Sequence, residues 1–357
     1  HVSSLGEFEQ GRPVIEEIRN IKPEYKILLT FFSPSGYELK KDYQYADYVF
    51  YLPLDTQKNA AQFIDLVKPD KVFFVKYEFW YHFLTQLKKE AIPTYIFSAL
   101  FRPSQIFFKP WGKWYLKAIQ TYEHIFVQNQ ESFEILNRFG FNNVSVSGDT
   151  RLDRVGEIAD DSPRLDKLEL FCGSQKAIIA GSTWKEDEDL FIPYLNKAAS
   201  GQKFVIAPHE VTQQSLERIS NALEKPYAFY SSATNEELAK ADVLIVDGYG
   251  TLVSIYRYGM LAYVGGGFTS GIHSILEPAV FGLPVIFGPD YHKFQEAHDM
   301  LSLGGAFCIN SYEELETQID SYRFNHEKLL TASAVARDYV NKNRGASSEI
   351  VKYLFHS

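Results

Sequence analysis

Short, largely apolar runs recur along the first half of the chain at 25–32, 48–52, 71–75, 94–98, 124–127 and 143–146. Between them, 9–21, 57–67 and 130–139 space their apolar residues at helical intervals. Runs that stay apolar instead of alternating predict strands buried on both faces, and strand–helix alternation predicts a parallel sheet covered by helices. Charged and turn-forming residues from 151 to 164 break the rhythm. A second series follows at 176–180, 204–207, 227–230, 243–246, 262–264 and 284–287. The pattern predicts two doubly wound α/β domains, 1–160 and 161–346. A last helical segment within 347–357 is expected to cross back to the first.

The stretch 261–289 carries the densest chemistry. Leu261, Ala262, Tyr263 and Val264 run into Gly265, Gly266 and Gly267, and Ser270, Gly271, His273, Ser274 and Glu277 follow before Pro278, Gly282 and Pro284. This predicts strand, glycine-rich loop, short helix and strand. Glycines admit close approach by an anion, and a helix start offers N–H groups without intrahelical partners. Two interpretations stay open, a phosphate pocket and a tight connection between elements. Ser274 and Glu277 likewise have the spacing of a capping box, although Pro278 suits only the first turn of such a helix.

Other candidates sit where strands end. Ser3-Ser4-Leu5-Gly6-Glu7 opens the first helix, so Glu7 is a candidate general base or an acid favoured by the helix dipole. Gly181-Ser182-Thr183 offers small polar groups for a phosphate or base, and Pro208-His209-Glu210 brings a histidine to the same rim. Asp187-Glu188-Asp189 has the Asp-x-Asp spacing of metal-dependent sugar transferases, but it also falls where acids complement a helix start. From Arg102 to Tyr122, Phe107, Phe108, Trp111, Trp114 and Tyr115 interleave with Lys109, Lys113 and Lys117. Core packing and a membrane-surface patch both fit that pattern.

Composition narrows the field. A net charge of −9 over 357 residues argues against a general nucleic-acid binder, and no apolar run approaches the length of a membrane span. Cys172 and Cys308 lie outside any metal-ligand spacing. Lipase-type, zincin, Walker A and dinucleotide-binding signatures do not occur. The abrupt opening at His1-Val2-Ser3-Ser4 suggests a removed upstream segment.

As a set, these motifs resemble the 3-deoxy-D-manno-octulosonic acid (Kdo) transferases of Gram-negative lipopolysaccharide synthesis. The resemblance runs through Ser4-Leu5-Gly6-Glu7, Ser33-Pro34-Ser35-Gly36, Glu78-Phe79-Trp80, Gly148-Asp149-Thr150-Arg151, Gly181-Ser182-Thr183, Leu276-Glu277-Pro278 and Phe287-Gly288-Pro289. It implies a GT-B fold, two Rossmann-like domains facing across a cleft. It also implies inverting, metal-independent transfer of Kdo from CMP-Kdo to a lipid A precursor (lipid IVA), with no cofactor. By that likeness Glu7 is the base, and Arg151, Ser182, Thr183, His209, Gly266, Ser274 and Glu277 bind the donor. Glu78, Trp111, Lys113 and Trp114 would face the acceptor or the membrane. The implied location is the cytoplasmic face of the inner membrane, with an N-terminal anchor upstream of His1. The chain has Ser274 where the family often has asparagine, Arg151 where it typically has lysine, and Pro208-His209-Glu210 where it often has Pro-Arg-His. A GT-B nucleotide-sugar epimerase and a catalytically silent nucleotide-sugar-binding module are the alternatives.

Overall fold

A computed structural model describes residues 1–356, apart from the side chains of Lys113 and His356. The chain divides into two units, His1–Arg154 with Asn343–Ser357, and Val155–Lys342. The expected boundaries at 160 and 346 shift because single helices, Arg151–Asp161 and His326–Asn343, run through both junctions. Charge and turn propensity at 151–164 marked a change of unit but not a break in the backbone.

In the first unit, β1 (Leu28–Phe31) and β2 (Tyr48–Tyr51) pair in parallel. A second parallel ladder runs in the order β3 (Val72–Val75), β4 (Thr94–Ala99), β5 (His124–Val127), β6 (Val144–Val146). Extended residues 1 and 2 join the two ladders. Val2 bridges Phe31 in parallel and donates to the Thr30 carbonyl at 3.0 Å, and the His1 nitrogen lies 2.6 Å from the Phe73 carbonyl. Side chains then sort by strand alternation. Phe74, Ile96, Ile125 and Val127 bury against the helices Gln57–Val67 and Tyr81–Lys89 on one face, and Val75, Tyr95, Phe97 and Phe126 bury with Phe8, Val14 and Ile18 on the other.

The second unit has one seven-stranded parallel sheet. Its strands are β7 (Ala177–Thr183), β8 (Phe204–Pro208), β9 (Tyr227–Phe229), β10 (Val243–Ile245), β11 (Gly259–Val264), β12 (Val285–Phe287) and β13 (Ala306–Cys308). They lie in the order β13-β12-β11-β7-β8-β10-β9. The order reverses beside β7, so the connections after β7 and β11 leave in opposite directions and open a crevice at their carboxyl ends. Strand β13 escapes an apolar-run search because it is a three-residue edge strand with Phe307 39% exposed.

The C-terminal helix Ala346–His356 belongs to the first unit and buries Ile350, Val351 and Leu354 beside Phe8 and Ile18. At about 1.5–3 kcal/mol per buried aliphatic side chain, this packing is a substantial part of a domain's net stability. Its start is held by buried Asp153, which accepts from the N–H of Gly345, from Ser347 N at 2.8 Å and from Ser347 Oγ at 2.9 Å. Asp153→Ala leaves those donors unpaired and should cost about 2–4 kcal/mol. Hydrogen exchange should show the loss first in the amides of 346–356; unchanged protection there would remove Asp153 as the anchor.

Candidate active site

In the first unit the site grows from the start of the helix Leu5–Ile21. Ser4 is its N-cap and accepts from Glu7 N at 3.4 Å, while Glu7 Oε2 accepts from Ser3 N at 2.6 Å. Glu7 therefore completes the helix start, as an acid in a first turn does. It is also half-buried and lies in the field of the Glu78 carboxyl. Burial and the Glu78 charge push its carboxyl up to about 7. That value suits a general base near neutrality.

Glu78 does not face acceptor solution or membrane, as the sequence suggested. It is 4% exposed and follows β3, with Trp80 Nε1 donating to its Oε2 and His1 Nε2 at 3.2 Å. The inward turn follows from Tyr122, whose hydroxyl donates to the Glu78 carbonyl from a fully buried position. Arg151 is held by Asp149, whose carboxylate accepts from Arg151 N at 2.9 Å and Nε at 2.8 Å. Burial raises the Asp149 carboxyl, but the Arg151 guanidinium outweighs that and holds it below the usual range. Glu7, Asp149, Arg151 and Arg102 all act electrostatically on the half-buried Tyr77 hydroxyl.

In the second unit the site lies at the switch point. Strand β7 carries a bulge between Gly181 and Thr183, and Ser182 there has φ +53°. A left-handed serine costs of order 1 kcal/mol and re-aims its side chain out of the pleat. Thr183 behaves differently from expectation. It is 2% exposed and its hydroxyl donates to Glu188 Oε1 at 3.1 Å, so it braces the rim from inside.

Asp187 is the residue that sequence reasoning undervalued. Its carboxylate is fully buried and accepts from Tyr263 Oη at 2.6 Å, Gly266 N at 2.9 Å and Trp184 N at 2.9 Å. Three donors leave it no role as an exposed metal ligand of an Asp-x-Asp pair, and Asp189 pairs with Lys185. The glycine-loop N–H groups are also less available than predicted, since Gly265 N donates to the Gly181 carbonyl, Gly266 N to Asp187, and Gly271 N to the Gly266 carbonyl. The loop supplies close approach more than free donors. A Cβ on Gly265 would meet the Ser182 carbonyl and lie 2.7 Å from both Asp187 Oδ2 and Thr183 Cα, and Gly266 has φ +93°.

His209 follows β8 and stacks between Trp184 and His273, with centroids at 4.6 and 4.3 Å. Trp184 Nε1 donates to His273 Nε2 at 3.1 Å. Burial and the His209 charge bring His273 down to about 4, so its imidazole is neutral at pH 7 and Nε2 acts as acceptor. Ser274 is exposed and Glu277 half-buried. No capping box forms at 274–277, because Ile275 is the N-cap of the helix Leu276–Val280 and Pro278 occupies its first turn. The structure thus places Ser182 at the end of β7, His209 just after β8, Gly266 and Ser274 on the loop after β11, and Glu277 in the first turn of the helix Leu276–Val280. Arg151, expected with them, stands in the first unit with Glu7.

The aromatic stretch divides by side chain. Phe107 and Tyr115 pack into the core, while Trp111 is 70% and Trp114 55% exposed. The side chain of Lys113 lies outside the described residues.

Residues 1–154 match the family described as 3-deoxy-D-manno-octulosonic-acid transferase (kdotransferase). The Aquifex aeolicus 3-deoxy-D-manno-octulosonic acid transferase is 28% identical over 334 residues, 89% of this chain and 84% of that one. The Haemophilus influenzae protein of the same name is 26% identical over 370 residues, 99% of this chain and 85% of that one. The first 154 residues thus match the Kdo transferase family, and the chain is similar over most of its length to proteins named as Kdo transferases. Kdo transferases are glycosyltransferases, and the structure has the GT-B fold that the motifs implied. UDP-GlcNAc 2-epimerase from Neisseria meningitidis matches with a TM-score of 0.70 at 15% identity, covering 100% of this chain and 98% of that one. Acinetobacter baumannii MurG matches with 0.63 at 13% identity, covering 100% and 98%. At those identities the likeness concerns the fold alone.

Gly265→Ala should force the β7 and β11 rims apart. We expect the second unit to lose about 2–3 kcal/mol and its nucleotide affinity to fall at least tenfold. Thermal unfolding and calorimetry with CMP check this. Wild-type values in both would mean the close approach at Gly265 does not matter.

Proposed function

We propose that this chain is a Kdo transferase that moves Kdo from CMP-Kdo to a lipid A precursor, inverting the anomeric centre without a metal, with Glu7 as general base. The observation that carries the reading is the Glu7 carboxyl, anchored by Ser3 N and brought up to about 7 by burial and Glu78. In the proposed step the acceptor hydroxyl oxygen bonds to the anomeric carbon while the bond from that carbon to the CMP phosphate oxygen breaks. The electron pair of that bond leaves on CMP. The acceptor proton passes to Glu7.

Ser182, His209, Ser274 and Glu277 hold the nucleotide in this reading. Gly266 lets it approach the backbone, and Thr183 acts through Glu188 as a brace. Arg151, oriented by Asp149, supplies the cation for the donor's carboxylate or phosphate. A guanidinium fixed in advance by a buried carboxylate stabilises developing charge without reorganising. Exposed Trp111 and Trp114, with neighbouring lysines, suit the surface of an anionic bilayer at the cytoplasmic face of the inner membrane. Among the described residues no helix is long and apolar enough to cross a membrane.

Glu7→Gln should lower the rate of Kdo transfer from CMP-Kdo to lipid IVA by about 10²- to 10⁴-fold while leaving CMP affinity unchanged. Because the base works only when ionised and its carboxyl is raised to about 7, the wild-type rate should fall below pH 7 and approach tenfold per unit. Full activity in Glu7→Gln, or a flat profile down to pH 5, would end the assignment. A Trp111→Ala/Trp114→Ala variant should bind anionic liposomes at least several-fold more weakly in co-sedimentation. Equal binding would leave these side chains without a membrane role.

A further inference from the structure

Trp184 follows β7, His209 follows β8 and His273 lies on the loop after β11, so three rings meet at the crevice that the strand order opens. The backbone under the last ring is pinned. His273 N donates to the Gly265 carbonyl at 3.1 Å, and Ile272 N to the Asp290 carbonyl at 3.1 Å. The His273 ring is held on its face and along one edge. It stacks on His209 with centroids 4.3 Å apart, its Nε2 receives the Trp184 indole N–H at 3.1 Å, and its Cδ2 would stand 3.1 Å from a Cβ added to Gly266.

An indole nitrogen only donates, so His273 Nε2 offers a lone pair. A neutral imidazole that accepts at one nitrogen carries its hydrogen on the other, and the bond at Nε2 therefore selects the Nδ1–H tautomer. Hydrogen on Nε2 would set two N–H groups against each other and leave the indole donor unpaired. The neutral state agrees with the position of the His273 titration, brought down to about 4 by burial and His209. Nδ1 lies on the ring edge away from Cδ2 and Gly266. Among the described residues it has no hydrogen-bond partner and is not sealed from solvent.

We propose that Trp184 is a positioning residue: by donating to Nε2 it holds His273 as a neutral, preset Nδ1–H donor to a phosphate oxygen of the bound nucleotide. The proposal rests on the second unit being the CMP site, and it adds a contact that the glycine loop does not supply. The N–H groups of Gly265, Gly266 and Gly271 are already given to the Gly181 carbonyl, the Asp187 carboxylate and the Gly266 carbonyl. An anion at this rim therefore depends on side-chain donors. A ring fixed in plane by His209 and in tautomer by Trp184 meets the phosphate with its hydrogen in place, and no rearrangement accompanies binding. Gly266 has its own part in this, since a side chain there would crowd the His273 ring as well as the Gly271 carbonyl.

Trp184→Phe removes the N–H and keeps an aromatic ring beside His209. Nitrogen NMR of the free wild-type protein should show His273 with hydrogen on Nδ1, and the variant should show it shared between both nitrogens. In calorimetry the variant should bind CMP about three- to tenfold more weakly and cytidine as well as wild type does. Hydrogen on Nε2 in wild type, an unchanged CMP affinity, or an equal loss for cytidine overturns the proposal. His273→Asn gives a second arm, because its side-chain amide stands near the Nδ1 position and has no tautomer to set. On that background Trp184→Phe should change CMP affinity by less than about twofold. An undiminished loss there means that Trp184 does not act through His273, and overturns the proposal. Should Trp184→Phe fail to fold, the Nδ1–H proton resonance of wild type decides: it should shift with CMP and not with cytidine, and a resonance that ignores CMP overturns the contact. Wild-type protein that binds neither ligand overturns the nucleotide reading and this contact with it, whereas CMP binding that Trp184→Phe leaves intact overturns the contact alone.

Discussion

Asp187 ties the ends of two central strands together, and the second unit's site exists in its present form only because that tie is made. The order of the sheet forces the loops after β7 and β11 apart at their carboxyl ends. A crevice opens there whatever the side chains are, but its walls need a fixed spacing before they can select a ligand. The buried carboxylate supplies it by accepting from Trp184 N on one wall, and from Gly266 N and Tyr263 Oη on the other. Burial disfavours the charge and raises the Asp187 carboxyl, and the three hydrogen bonds oppose that rise. A buried anion with fewer donors would protonate or draw in water, so the tie and the donor count are inseparable.

The same carboxylate explains why the three-glycine run is needed where it stands. Gly265 passes between the Ser182 carbonyl and Asp187, where a side chain has no room. Next to it, Gly266 takes a left-handed φ and presents its N–H inward to Asp187. Glycine was read in the sequence as an invitation to phosphate, but at these two positions it serves the wall. On the same loop the neutral imidazole of His273 is held by the Trp184 indole.

The fold was largely legible because the central strands of both units are buried on two faces. Uninterrupted apolar runs such as 243–246 and 262–264 mark such strands without any need for periodicity. Features set by local exposure were less visible, as with the short edge strand Ala306–Cys308. The domain junctions were displaced because helix propensity across 151–161 is indifferent to which unit each residue packs against. In the site, Glu7 was legible from its place at a helix start. The environment of Glu7 was not, since the Glu78 charge that acts on it comes from the end of a strand distant in sequence. Thr183 and Ser274 show the converse limit. Both are small polar residues on a promising loop, and only side-chain direction separates the one that braces the interior from the one that faces outward.

Backbone strain recurs at matching places in the two units. Ser98 in β4 has φ +52° within a register shift between Ile96 and Ala99, and Ser182 in β7 has φ +53° within one between Gly181 and Thr183. Each sits near the carboxyl end of a central parallel strand. Their side chains differ in what they do with the displaced position. The Ser98 hydroxyl is buried and meets Thr150 Oγ1 at 2.8 Å, and Thr150 in turn donates to the Gln10 carbonyl at 2.6 Å, fastening the first helix to the turn that carries Asp149 and Arg151. Ser182 stays partly exposed, and among the described residues its hydroxyl makes no hydrogen bond. Of order 1 kcal/mol of strain is offset in the first case by an internal network. In the second no such bond offsets it, which is the condition expected of a group whose partner arrives with the substrate.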